Sequence, residues 1–212
     1  MNPIARFGKL FVMLTLPFGA MADTGGLTEL LGRVHQAAAA EFRYEETRML
    51  ELASSPVKSE GYLLSSPDGS LVKLQLLPRR VIMAISNGQM LYYDQEEKQR
   101  HYAPLSISGQ AQQQIKMFRA LLQGRTGELQ AVYDIKTERR GKHWKLGFEA
   151  KSGQAGEEVP AMDIEGDDGE GKRLILIRQA DGESSRYAIV KTGEGQPLEF
   201  SIQRLLLEAA GE

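Results

Sequence analysis

Between Val81 and Asp94 the sequence reads VIMAISNGQMLYYD, and its centre leaves the backbone little choice. Asn87-Gly88 best tolerates the positive φ required at both central positions of a type I′ turn, so the runs on either side are expected to pair as an antiparallel hairpin. With the turn centred there, Ile85 faces Met90 and Met83 faces Tyr92 on one side of the sheet, while Ala84 faces Leu91 and Ile82 faces Tyr93 on the other. Both sides are apolar. A half-exposed antiparallel sheet alternates apolar with polar residues, so each side of this hairpin has to be covered.

The rest of the chain is read for what could cover it. Leu27, Leu30, Leu31, Val34 and Ala38 fall at i, i+3, i+4, i+7 and i+11, which predicts a helix from Leu27 to Ala39 with one apolar stripe. FRYEETRMLEL (Phe42 to Leu52), GYLLSS (Gly61 to Ser66) and LVKLQLL (Leu71 to Leu77) lean to β structure, and SPDG is a turn between the last two. In LVKLQLL, Val72, Leu74 and Leu76 share one face and Lys73 and Gln75 the other. After the hairpin, Ala111, Ile115, Phe118 and Leu122 recur at helical spacing in a second amphipathic helix from Ser108 to Gln123, ended by Gly124. LQAVYDIKTE, HWKLGFEAK, RLILIRQ, SRYAIVKT and LEFSIQRLLL are read as further strands, and the Gly-rich acidic segment from Ser152 to Lys172 as an exposed loop or flexible hairpin tip. Nine or ten strands with two inserted helices argue for an antiparallel sheet, and a sheet of that many strands curls or closes.

At the start, Arg6 and Lys9 precede an apolar run from Leu10 to Phe18 and a small-x-small site at Ala20-Met21-Ala22. Residues 1–22 are therefore expected to be a secretory signal peptide, the run being shorter than the roughly 20 residues a membrane span needs. One domain from 23 to 212 is expected to remain, free in the periplasm and monomeric. Without the two basic residues of that segment, 24 basic stand against 28 acidic side chains, a net charge of −4. That balance disfavours nucleic acid as a partner, since phosphate binding calls for a concentrated basic surface. The sequence contains no cysteine, which excludes a lipid anchor on cysteine, thiol catalysis and cysteine-ligated metal.

Catalytic patterns are missing. Nucleophile-elbow, P-loop, GxGxxG and HExxH motifs do not occur, and His35, His101 and His143 lie far apart without metal-ligand spacing. DIEGDDGEGKRL alternates acids at Asp163, Glu165 and Asp167, but Asp168 stands where a Ca²⁺ loop needs its sharp-turn glycine and Leu174 where it needs the bidentate glutamate. The reading is of a protein that is not an enzyme and has neither cofactor nor metal. A curled sheet has an inside: filled with bulky side chains it makes a structural barrel, and left wide and apolar it makes a lipid cavity.

The order of these motifs is similar to the periplasmic lipoprotein carrier family of the LolA type. The resemblance runs through FRYEETRMLELASSPVKSEGYLL, a turn ending in Pro67, LVKLQLLPRR, ISNGQMLYYDQEEKQ and the following amphipathic helix, and less specifically through HWKLGFEAK and SSRYAIVKT. It implies a mainly antiparallel β fold with inserted helices: an incomplete, half-open barrel closed by an α-helical lid. It also implies a soluble carrier that takes acyl chains of a lipoprotein or lipid from an inner-membrane exporter to an outer-membrane acceptor. The cavity and lid would be formed by Leu74, Leu76, Met83, Ile85, Met90, Tyr92, Ile115, Phe118 and Leu122. The family's well-known carrier has an arginine directly before the proline of the first long hairpin, where this chain has Ser66. That departure makes a non-lipoprotein cargo, such as a polyene or fatty-acyl product handled with a membrane exporter, the first alternative. A carboxylate-dependent hydrolase acting on lipid or glycan and a structural scaffold are the alternatives from other classes.

Overall fold

A computed structural model describes residues 24–105, 109–152 and 159–212, so the expected signal peptide lies outside the described residues. The elements run α1 (Thr24–Val34), β1 (Ala40–Met49), β2 (Val57–Ser65), β3 (Leu71–Leu77), β4 (Val81–Ser86), β5 (Gln89–Asp94) and β6 (Gln99–Pro104). Then come α2 (Gly109–Leu122), α3 (Thr126–Val132), β7 (Tyr133–Arg140), β8 (His143–Ala150), β9 (Ala161–Asp167), β10 (Lys172–Arg178), β11 (Ser184–Glu194) and α4 (Gln196–Ala210). The hairpin forms in the register its turn dictates: Ile85 pairs with Met90, Met83 with Tyr92, Ala84 with Leu91 and Ile82 with Tyr93. Asn87 and Gly88 take φ values of 52° and 74°, the pair of positive angles a type I′ turn requires.

The eleven strands among the described residues form one antiparallel sheet in the order β6-β5-β4-β3-β2-β1-β11-β10-β9-β8-β7. Two meanders, β1 to β6 and β7 to β11, meet where the first strand pairs with the last, Tyr44 opposite Ile189 and Glu46 opposite Tyr187. β6 and β7 are left as edges, so the sheet is not closed into a barrel.

Helices cover its two sides unequally. α1 and α2 pack on the inner side, where Leu30, Leu31, Val34, Met117, Ala120 and Leu121 join Phe42, Tyr44, Trp144, Leu146, Phe148, Met162 and Ile164 in one buried core. Gly166 makes room for the Trp144 indole, since a Cβ there would stand 2.7 Å from Cζ2. α4 crosses the outer side, and its Ile202, Leu205, Leu206 and Ala209 form a second core with Leu64, Val72, Ile82 and Ala84. Tyr62, Leu74, Leu91 and Tyr93 flank that core. A bidentate pair from Arg80 to Glu208 and the Tyr102 hydroxyl donating to the Ala210 carbonyl fix the last turns of α4.

Several expectations need correction. LEFSIQRLLL is not a strand but most of α4: Gly195 caps it, Pro197 sits in its first turn, and Leu198, Ile202, Leu205 and Ala209 keep the helical period. α1 ends at Val34, and Ala38 is exposed in the bend that follows. α3 takes the first residues of the segment read as the strand LQAVYDIKTE. β6 and β9 were not expected. β9 lies within the acidic segment read as a loop, and its Met162, Ile164 and Gly166 are buried. Residues 153–158 of that segment are outside the described residues.

Candidate ligand cavity

Residues directly opposite in an antiparallel pair share a face, so the pairings define a continuous inner wall. One row runs His101, Tyr92, Met83, Lys73, Leu63 and Phe42 from β6 to β1. A neighbouring row runs Ala103, Met90, Ile85 and Leu71. These side chains, with Ile175, Tyr187 and Ile189 from the other meander, surround a cavity of about 520 Å³. That is within the ~300–1,000 Å³ typical of small-ligand sites. α2 closes one side with Ile115, Phe118, Leu121 and Leu122, and α1 contributes Val34.

α2 is divided between two tasks. Met117, Ala120 and Leu121 are buried in the core, whereas Ile115, Phe118 and Leu122 are only partly buried and look into the cavity. The helix is tied at its C-terminal end to the residues that directly follow α1: Gln36 N–H donates to the Leu122 carbonyl at 2.9 Å, and His35 Nδ1 lies 2.9 Å from the same oxygen. α1 is held in turn by Arg33, which reaches Glu29 at 2.7 Å and Asp168 at 2.5 Å. Arg139 of β7 bridges the same two acids at 3.0 and 2.5 Å.

Met83, Ile85, Met90, Tyr92, Ile115, Phe118 and Leu122 thus line one cavity. Leu74 and Leu76 do not, which corrects the expectation for both. Leu74 pairs with Ile82 on the outer face under α4, and Leu76, on that same face beyond the cover of the helix, is 41% exposed. Alternation along β3 sets this: the apolar set Val72, Leu74, Leu76 turns to the outer face, and the lone cation of the strand, Lys73, turns inward opposite Met83.

Lys73 belongs to a polar cluster sunk in the apolar wall. Glu46 is 4% exposed and accepts from Lys73 at 2.5 Å, Tyr187 at 2.7 Å, Ser59 at 2.8 Å and Arg48 at 3.3 Å. The Lys73 ammonium also lies 5.0 Å from the Tyr44 ring centroid and 5.2 Å from that of Tyr187. Burial alone would raise the Glu46 carboxyl, but the Lys73 charge and the hydrogen bonds from Lys73, Tyr187 and Ser59 outweigh it and hold the group at about 2. Burial pulls the Lys73 ammonium below its usual value against the opposing attraction of Glu46. Burial, followed by the Glu46 charge, pushes the Tyr187 hydroxyl far up, so it stays protonated and donates. The sequence carried a signal for this cluster. Phe42, Tyr44, Glu46 and Arg48 alternate with Arg43, Glu45 and Thr47, which places a glutamate on the apolar face of β1.

The lining contains no aspartate or glutamate among the described residues, so the paired acids a glycosidic hydrolysis needs are not brought together there. The Asp163 region is strand rather than a cation loop, and no group of three or more metal-ligating side chains occurs among the described residues. No described helix is long and apolar enough to cross a membrane.

No family model matches the chain, and no curated protein does. Among solved structures, that of a LolA superfamily protein from Nitrosomonas europaea is similar, at 10% sequence identity and a TM-score of 0.38, over 81% of this chain and 92% of that one. A likeness at this level carries no functional argument.

Proposed function

We propose that the protein is a carrier that holds an acyl chain in the cavity between its inner wall and α2, without covalent chemistry. One observation supports this above the others. Met83, Ile85, Met90 and Tyr92 sit on a wall that the fold leaves partly unfilled, while the opposite face of the same hairpin is packed by α4. An acyl chain laid on that wall would gain about 0.8 kcal/mol per buried methylene. Methionines adapt to flexible chains at little cost, which suits a wall that meets many conformers. The export signal expected at residues 1–22 makes the periplasm the compartment of this reading, with a membrane exporter as donor and the outer membrane as acceptor of the lipid or lipoprotein.

α2 is the part of the reading that moves. Its inward residues exchange contacts with the wall for contacts with the chain, so the helix acts as a lid over the cavity. The deciding experiment is a fluorescent fatty-acid titration of the wild type and of Met83→Glu, with native mass spectrometry of protein purified without detergent. Saturable binding, lost in a folded Met83→Glu, is expected, because a carboxylate buried against methylenes costs several kcal/mol. Wild-type affinity in that variant, with no lipid on the purified protein, would sink the reading.

A further inference from the structure

The ionisable side chains of the cavity, tyrosines aside, are Arg48, Lys73, His101 and Arg173, with no acid among the described lining residues. The chain as a whole has the opposite balance, 26 basic against 28 acidic residues. Arg48 and Lys73 share the Glu46 carboxylate, at 3.3 and 2.5 Å. Arg173 is different. It stands on the inner face of β10, opposite Ile189 and Gly166, and no described carboxylate pairs with it. Its Nη2 donates to the Arg33 carbonyl at 2.5 Å, capping the last turn of α1.

That cap accounts for one of the five N–H donors of a guanidinium. It supplies no countercharge, and the cation beside it, Arg33, has its own partners in Glu29 and Asp168. Burial, and then the charge of Arg33, lower the Arg173 pKa, so the charged form is disfavoured where it stands. A guanidinium withdrawn from water without a carboxylate partner of its own is completed by an anion, and its geometry suits a bidentate carboxylate or phosphate.

We propose that the cargo is an anionic amphiphile whose acid group is bound by Arg173 at the α1 end of the cavity while its chain lies on the apolar wall. This rests on the acyl-chain reading and adds the headgroup to it. A neutral ester or amide of the same chain would fill the wall and leave the cation unanswered. A carboxylate and a phosphate monoester share the chemistry that Arg173 recognises, and the probes separate them.

The test uses palmitic acid, methyl palmitate and hexadecyl phosphate, each displacing an uncharged fluorescent dye from the full chain. The wild type should bind at least one acid on the order of tenfold more tightly than the ester, the worth of one charge-assisted hydrogen bond. The tighter of the two acids identifies the headgroup. Arg173→Gln should reduce acid binding to the level of the ester without changing the ester, and Arg173→Lys should keep part of the preference. Equal affinity for all three probes in the wild type would overturn the inference and leave the acyl reading standing. An acid preference that survives in a folded Arg173→Gln would also overturn it, and binding of none of the probes would overturn both. If Arg173→Gln fails to fold by circular dichroism, the wild-type ratio of acid to ester decides.

Discussion

On β8, β9 and β10 the outward face carries Lys145, Glu149, Asp163, Glu165 and Arg178, joined in ion pairs from Lys145 to Asp163 and Glu165 and from Arg178 to Asp163 and Glu149. On β2 to β5 the same face of the same sheet carries Tyr62, Leu64, Val72, Leu74, Ile82, Ala84, Leu91 and Tyr93, and α4 lies over it. The inward faces reverse the contrast. Leu146, Phe148, Met162 and Ile164 are fully buried in core, while Met83, Ile85, Met90 and Tyr92 border a cavity. Where strands alternate apolar with charged, one covered side holds the meander together and that side must be packed tight. Where both sides are apolar, a helix outside supplies the stabilising core, and the inner side is released from that duty to hold something else.

The largest expected effect follows from that division. Ending the chain after Glu194 removes α4 and uncovers a contiguous apolar sheet face, which neighbouring molecules would then cover by aggregation. Loss of soluble monomer is expected in size-exclusion chromatography. A soluble, folded monomer lacking α4 would show that the β1–β6 meander is held from the inside after all, and the comparison would break.

The two inner faces should answer truncation differently. Phe148→Ala removes a fully buried ring from a packed core and should cost about 3–5 kcal/mol in urea denaturation. Met83→Ala trims a partly exposed side chain at the edge of a space that already exists, opens no new void, and should cost about 1 kcal/mol or less. Comparable costs would mean that the cavity wall is core like the rest.

Glu46 stands on the seam between the meanders and makes the contrast depend on pH. Its folded pKa, about 2, lies below its ordinary value of 4.5. A carboxyl depressed on folding contributes stability that is complete above the ordinary value and is lost as pH falls from there through the folded one. The contribution is about 3 kcal/mol at 1.36 kcal/mol per unit. Unfolding free energy measured from pH 6 to pH 2 should fall by that much in the wild type beyond what Glu46→Gln loses. Parallel curves for the two proteins would remove Glu46 from the account.

Much of this was legible in the chain before folding. The Asn87-Gly88 turn fixed a register that the structure reproduces pair by pair, and the two apolar faces of the hairpin announced two covers. The outer cover is hard to read because LEFSIQRLLL mixes Ile202 and Phe200, which suit a strand, with a helical spacing. Pro197 in the first turn and the spacing Leu198, Ile202, Leu205, Ala209 carried the helical signal. The wall that takes Leu74 is not legible, because an apolar strand face suits either an apolar cavity or a covering helix, and only tertiary packing chooses between them. The polar groups of the cavity were least legible. Arg173 is the second residue of β10, near a strand end where a basic residue ordinarily faces water, and nothing local distinguishes it from Lys172, its exposed neighbour.

The smallest effect is expected on the charged outer face of the β7–β11 meander. Arg178 reaches Asp163 at 2.7 Å and Glu149 at 3.1 Å, but its side chain is 39% exposed and that of Glu149 50%. The Asp163 side chain is only 14% exposed, but an ion pair whose cation is this open to water is worth about 0–1 kcal/mol and weakens with salt, since at 1 M the screening length shrinks to about 3 Å. Arg178→Ala should therefore destabilise the protein by no more than about 1 kcal/mol in dilute buffer and by less at 1 M NaCl, because Lys145 remains 3.4 Å from Asp163. A loss above about 2 kcal/mol that persists in salt would show that this face is a structural network rather than a solvated one. Both meanders would then be held from outside, and the open inner wall of the first would need another explanation than the presence of α4.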